Sequence, residues 1–414
     1  MFGPIIAADV AIIDKTYDYT GFSDGDAAFA PLSALLDRLG LKPGDKYKPT
    51  TWNGFKEFLR ATQSLTPVVS PGGSTANVLR TLGKIAGGDI QEIGFLTYIS
   101  PEEHSESLKR AFRESGIRLL EPAGIPDSRW LRIVRQIFSY SSESPSRATQ
   151  SLVILPPGEN PDRIIATRVG TGVREALTPA SIPDGKIEGA AAILMQGSMM
   201  QKLGADFFNA VLSRRQPETE VWLGLPTDTK FTSANVPYFQ HLALDVATVV
   251  SADVKEFQAT FPEGSLRDGL ERLSASWRRG ASSVAAKWGK EKVALITNGG
   301  DTAYLVSQLG GIEEIQPRKV QALYTIGAGD ATFAAFLAAV RIAGFRPHEA
   351  AKIAMQAGAA KVLQREGACL TDPRHSLAQL AEEGLQLVRR LNTPTPRHAL
   401  AGRAPQDRSR QATA

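Results

Sequence analysis

The sequence of 414 residues predicts an α/β fold, a doubly wound and mostly parallel sheet with helices on both faces. Two observations carry that prediction. From residue 93 the pattern alternates strand, helix and strand, over 93–99, 107–115 and 117–120, with Gly116 stopping the helix. It resumes with strands at 190–195, 220–225, 246–250 and 293–297 and a helix over 205–213. The second observation is composition: 43% of residues are hydrophobic, enough for a substantial core. No apolar run reaches the ~20 residues that cross a bilayer, so no membrane span is expected.

The elements follow in order. Residues 5–13 are mostly apolar and read as one buried first strand leading to Asp14. Pro43-Gly44-Asp45 marks a turn, and Phe55, Phe58 and Leu59 fall at the i, i+3, i+4 spacing of a short helix. Pro71-Gly72-Gly73 precedes a helix over 75–85. Trp130, Ile133, Val134, Ile137 and Phe138 form an amphipathic stripe, so a helix is expected within 126–146. Residues 151–155 and 164–169, joined by a Pro- and Gly-rich turn, read as a hairpin. A glycine-rich turn at 327–329 opens the apolar helix that begins at Asp330, and the Ala-rich run 350–363 is expected to pack beside it.

Charge and the rarer residues exclude several functions. The net charge is +4, but from Arg389 on six arginines and a single acid, Asp407, carry +5. The 388 residues before them sum to −1, so the basic balance lies in the tail; an Arg-rich end could touch nucleic acid or membrane, but a solvated end is expected and neither partner is. The segment 391–414 has little to bury and is expected to be a disordered basic tail, leaving 1–390 as one domain. Cys369 is the only cysteine and the start lacks a basic, apolar leader, so a cytoplasmic setting is expected. Five scattered histidines give no zinc-like cluster.

The chemistry concentrates at Gly327-Ala328-Gly329-Asp330. The first N–H groups of a helix lack partners inside it, and the helix dipole adds partial positive charge there. Small residues let an anion such as a phosphate approach that backbone. A carboxylate beside such a site suits a base for a substrate hydroxyl. A plain helix-capping Asp would also satisfy the spacing. Earlier in the chain, Gly72 and Gly73 permit close backbone approach, and Asn77 stands near a helix start as a donor and acceptor for hydroxyls.

The stretch Tyr324 to Asp330 resembles the C-terminal signature of the ribokinase/PfkB carbohydrate kinase family. Gly72-Gly73-Ser74-Thr75-Ala76-Asn77 resembles that family's other signature and is most similar to the adenosine kinase-like branch. The resemblance implies a ribokinase-like fold with a small β lid over about 15–50 and 117–170, the helix at 126–146 being an insertion. It implies an ATP-dependent kinase acting on a hydroxymethyl group of a sugar or nucleoside, with Mg2+. Asp330 would be the base, with Gly327, Ala328 and Gly329 as the anion hole. Asp14, Gly72, Gly73 and Asn77 would hold the acceptor. Thr297, Gly299, Gly300, Thr325, Gln356 and Gly358 would flank the nucleotide. Asp253 and Glu256 match the place of a motif that organises magnesium, although an acidic first helical turn explains them equally.

Departures from the family pattern are also visible. Asp9 and Val10 stand where a Gly-Asn pair is usual, Asp253 replaces an Asn, and Tyr324 replaces an Asp that helps relatives bind a monovalent cation. These departures motivate a second expectation, a catalytically silent binding protein on the same fold. The apolar stripe at 130–138 must be covered, either by folding back on the lid or by the same helix of a second subunit, and the expectation leans to a homodimer.

Overall fold

The computed structural model describes residues 1–383 except 24, 48–51, 100–103, 124–147, 159–162, 227, 281–290, 365–369 and 371–375. The expected insertion helix, with its dimer contact, and the tail lie outside the described residues.

Nine strands form the main sheet, in the order β14-β13-β12-β11-β10-β9-β1-β5-β6. They are β1 (Ile5–Ala8), β5 (Ile93–Leu96), β6 (Ile117–Leu120), β9 (Ala192–Gln196), β10 (Glu220–Gly224), β11 (Val249–Asp253), β12 (Val293–Asn298), β13 (Asp301–Ser307) and β14 (Gly311–Ile315). From β12 to β6 every pairing is parallel. β13 and β14 add an antiparallel edge that the sequence reading did not anticipate. Alternate residues of each strand feed opposite faces. Ile5 and Ala7 join Phe95, Leu194 and Trp222 beneath the helices Ser74–Ile85, Ala328–Leu337 and Pro347–Val362. Ile6 and Ala8 join Ile193, Leu223 and Val250 under the helices Ala205–Ser213 and Leu266–Arg279. Strands buried on both faces explain the near-continuous apolar runs.

A second sheet of five strands runs β3-β8-β7-β2-β4. It contains β2 (Ile12–Asp18), β3 (Lys46–Tyr47), β4 (Val68–Gly72), β7 (Thr149–Leu155) and β8 (Ile164–Arg168). The hairpin expected near 151–169 is β7 and β8. On one face this sheet packs Leu152 and Ile154 against Phe29, Leu32, Phe55 and Phe58 from the helices Ala30–Leu39 and Trp52–Ala61. From its other face Val153 meets Tyr324 and Ile326, so the small sheet lies against the glycine-rich turn.

Two expectations need correction. The single strand at 5–13 is two strands in different sheets, β1 and β2. The chain leaves the ladder at Asp9 because side chains take the next backbone donors. Asp9 Oδ1 accepts from Val10 N at 2.7 Å, and Thr97 Oγ1 accepts from Ala11 N at 2.9 Å. Residues 117–120 belong to the main sheet, paired in parallel with β5, and not to the lid. The lid also contains β4, which the sequence reading missed because Pro71 and Gly72 at its end resemble a loop.

Candidate active site

The helix Ala328–Leu337 starts from Gly327, whose φ of 76° and ψ of 5° place it in the left-handed region. The Ala331 amide donates to the Gly327 carbonyl at 2.8 Å. The amides of Gly329 and Asp330, in the first turn, have no acceptor within the helix. A Cβ added to Gly329 would meet nothing within 4 Å, so the turn is open to a ligand. An open helix start of this shape can take an anion, as expected for Gly327, Ala328 and Gly329.

Asp330 joins the two signatures. Asn77 Nδ2 donates to Asp330 Oδ2 at 2.9 Å, and Ser74 also bonds that carboxylate. Burial raises the pKa of Asp330, while the bonds from Asn77 and Ser74 and the charges of Arg163 and Lys46 oppose the rise. Asn77 is buried, and its Oδ1 accepts no hydrogen bond among the described residues. That leaves one acceptor beside the base for a hydroxyl.

Asp14 lies on β2, in register with Ser70 of β4 and Ser151 of β7. Burial first, and then the charge of Asp330, push its carboxyl up to about 7, against Lys202 and Arg163. Gly72 is required beside it: a Cβ there would fall 2.0 Å from the Asp14 carboxylate carbon. Gly73, with φ of 93°, takes a conformation that other residues resist, and an added Cβ would press on Ile12 at 3.3 Å. Asp14, Gly72, Gly73 and Asn77 therefore converge with Asp330.

The expected metal residues form a capping box at the start of the helix Val254–Thr260. Asp253 Oδ1 accepts from the Glu256 amide at 2.8 Å, and Glu256 Oε2 accepts from the Asp253 amide at 2.9 Å. Each carboxylate keeps its second oxygen for another partner. Burial first, and then the charge of Asp253, raise the Glu256 carboxyl to about 8. Two hard oxygen donors side by side fit a magnesium ion held directly or through water. Among the described residues no group of three His, Cys, Asp or Glu side chains is arranged for a metal.

The expected nucleotide residues divide. Thr297 is the register partner of Asp253, so it stands beside the carboxylate pair. Gly299 and Gly300 form the tight turn from β12 to β13, Gly299 at φ of 56°, and side chains added to either would point into open space. Thr325 Oγ1 accepts from Arg163 Nη1 at 3.2 Å. Gln356 Nε2 donates to Glu383 at 2.6 Å. Gly358 lets its helix approach the Asp330 helix, since a Cβ there would lie 2.3 Å from Thr332 Oγ1. Gly358 thus serves the close approach of the two helices, and Gln356 bonds Glu383.

Residues 235–374 match the model of the pfkB family carbohydrate kinases. A search of curated protein sequences found no match. Among solved structures, adenosine kinase from Sinorhizobium meliloti aligns at a TM-score of 0.66 and 15% identity, over 92% of this chain and 98% of that one. Ribokinase from Thermotoga maritima aligns at 0.57 and 16% identity, over 92% and 99%. A probable sugar kinase from Rhizobium etli aligns at 0.64 and 14% identity, over 93% and 98%. The fold is ribokinase-like. The resemblance read from the two signatures is borne out, while identities this low speak for the fold alone.

Within the ribokinase-like frame, three basic residues that the sequence reading missed reach the site. Arg163 precedes β8 and its charge acts on Asp14 and Asp330. Lys46, on β3, acts on Glu256, Asp253 and Asp330, and burial lowers its pKa. The Ile165 amide donates to the Asp45 carbonyl at 3.0 Å, which ties the two lid segments together. Lys202 follows β9 and pairs with Asp9. No spacing marks any of the three, because the lid and the main sheet bring them in from separate segments. Tyr324 is buried under the lid, its hydroxyl pushed up to about 12 chiefly by burial, and Lys361 Nζ lies 4.8 Å from its ring centre.

Proposed function

We propose that the protein is an ATP-dependent kinase that phosphorylates a hydroxymethyl group of a sugar or nucleoside. One observation carries the reading: Asn77 of the first signature bonds the Asp330 carboxylate at the mouth of the anion cradle. A base, an acceptor-orienting amide and a cluster of open N–H groups then face one point.

The roles follow from the geometry. Asp14 and Asn77 would hold hydroxyls of the acceptor, with Gly72 and Gly73 allowing it close to the backbone. Asp330 would take the proton from the reacting hydroxyl, and its raised pKa makes it a stronger base than a solvated carboxylate. The amides of Gly329 and Asp330 would stabilise charge on the transferred phosphoryl oxygens. Arg163 and Lys46, carried by the small sheet, would add positive charge as that sheet covers the site, which excludes water. Asp253 and Glu256 would hold Mg2+, which neutralises phosphate charge when bound. Phosphoryl transfer needs positioning and electrostatics more than covalent help, and this is what these residues offer.

The test is ADP formation with ATP and Mg2+ over a panel of sugars and nucleosides. Turnover with at least one acceptor, lost in Asp330→Asn, supports the reading. No ADP above background with any acceptor overturns it in favour of a silent binding protein on the same fold.

A further inference from the structure

Below the acceptor residues lies a buried ion pair to which the proposed transfer assigns no role. Asp9, at the end of β1, is fully enclosed. Its carboxylate accepts from Val10 N at 2.7 Å and Thr75 Oγ1 at 2.6 Å, and Lys202 Nζ lies 3.1 and 3.3 Å from its two oxygens. Thr75 stands two residues before Asn77, so the pair sits at the foot of the acceptor signature. The Lys202 side chain keeps 13% of its surface open, whereas that of Asp9 keeps none. Asp9 therefore spends its oxygens inward, and Lys202 is the member of the pair that keeps open surface. Its charge is felt by Asp14.

The two groups differ in what they can do. An ionised carboxylate only accepts hydrogen bonds, and an ammonium only donates, with three N–H groups. A hydroxyl does both. Two adjacent hydroxyls laid across the pocket would be satisfied together, one donating to Asp14 and the other accepting from Lys202. We propose that Lys202, locked in place by Asp9, is a specificity residue that reads a vicinal diol of the acceptor together with Asp14. An analogue lacking one of those hydroxyls would leave the desolvated ammonium with an unmade bond, and is rejected for that reason. The assignment rests on the kinase reading for the identity of the pocket, but the binding chemistry does not need turnover.

The experiment compares adenosine with 2′-deoxyadenosine, and D-ribose with 2-deoxy-D-ribose, by calorimetric titration and by ADP formation. The proteins are the wild type and the double variant Asp9→Asn, Lys202→Met, which removes both charges together and leaves neither buried alone. The wild type should prefer the diol of at least one pair by about 30-fold, the range of a bond to a charged group. The double variant should bring that ratio below about 3-fold, through a rise in KM with kcat less affected. If the double variant does not fold, Lys202→Arg keeps the pair with Asp9 while moving the donors, and should change the ratio at least about 5-fold. No diol preference in the wild type, or a ratio unchanged in the folded variant, overturns the proposal. Diol-selective binding that the variant loses, with no ADP from any acceptor, leaves Lys202 assigned and sinks the kinase reading instead.

Discussion

Asn77 and Asp330 are 253 residues apart in the chain, yet the Asn77 amide nitrogen donates to the Asp330 carboxylate at 2.9 Å. The bond stabilises the charged form of Asp330, which burial disfavours. Asp330→Asn should fold and lose at least ~100-fold in turnover, the usual scale for a positioned base. Asn77→Ala should act differently. Without its donor, Asp330 holds its proton to a higher pH, so the acid limb of kcat/KM should move to higher pH. An acid limb that stays in place would show that the titrating group is not Asp330.

Asp14 gives a prediction about stability without any ligand. Its carboxyl titrates at about 7 in the folded protein, against 3.8 for the unperturbed group. The folded state therefore binds a proton that the unfolded state has released. The stabilisation from that proton is fully present below the unfolded value and is lost as pH rises through about 7. Ionising Asp14 above that pH costs up to about 4 kcal/mol, for a shift of about three pH units. Asp14→Asn should accordingly melt higher than wild type at pH 8 and should lose that advantage at pH 4. An equal difference at both pH values would mean that Asp14 is not the group responsible.

These two carboxylates also show how far the sequence could be read. Asp330 and Asn77 were legible because each sits in a short local pattern, glycines before a helix start, whose physics needs no distant partner. The main sheet was legible for a similar reason, since strands buried on both faces carry continuous apolar runs. The break between β1 and β2 was not, because Asp9 ends the ladder through side-chain bonds to Val10 and Thr75 that a hydrophobicity pattern does not record. Arg163, Lys46 and Lys202 were invisible for a third reason. A lone basic residue has no spacing, and only folding gives it a target: the approach of the lid for Arg163 and Lys46, the pairing of β1 with β9 for Lys202. Gly358 adds a contact that no motif records, the close packing of its helix against Thr332.

Arg163 is the lid residue with the widest electrostatic reach, touching Asp14, Asp330 and Tyr324. Arg163→Met keeps much of the apolar stem and removes the charge. Turnover should fall by ~100- to 1,000-fold, the scale for losing one preorganised donor at a developing charge. The melting temperature should change by no more than a surface substitution would change it. A loss of acceptor affinity with unchanged kcat would reassign Arg163 to binding.

By the resemblance of its signature, Tyr324 stands where the family usually has an Asp that helps bind a monovalent cation. Here the ring is buried, and the Lys361 ammonium, itself fully buried, lies 4.8 Å from its centre. A buried lysine nitrogen thus stands against the aromatic ring that takes the place of the Asp. Turnover should be the same in potassium, sodium and tetramethylammonium chloride at equal ionic strength. Activation of more than about 3-fold by potassium alone would show that a cation site survives without the Asp, against the weak binding expected of an aromatic face.

Asp253 and Glu256 are held by each other's backbone amides, and that bond can be separated from metal binding. Asn is as good a helix cap as Asp, and Gln serves as well as Glu in a capping box. Asp253→Asn should therefore melt within about 0.5 kcal/mol of wild type, and Glu256→Gln should do so at pH 4, where the raised Glu256 carboxyl is also neutral. Asp253→Ala removes the cap and should cost about 1 kcal/mol, with the helix Val254–Thr260 loosened at its start. Metal binding depends instead on the charge and on the second oxygen of each carboxylate. Gln offers a neutral carbonyl in place of an anion, a poorer ligand for a hard dication. Glu256→Gln should raise the Mg2+ concentration for half-maximal ADP formation by at least about 10-fold without lowering stability. If its Mg2+ requirement matches wild type and only Asp253→Ala shows a defect, the pair is a helix cap and the magnesium site lies elsewhere.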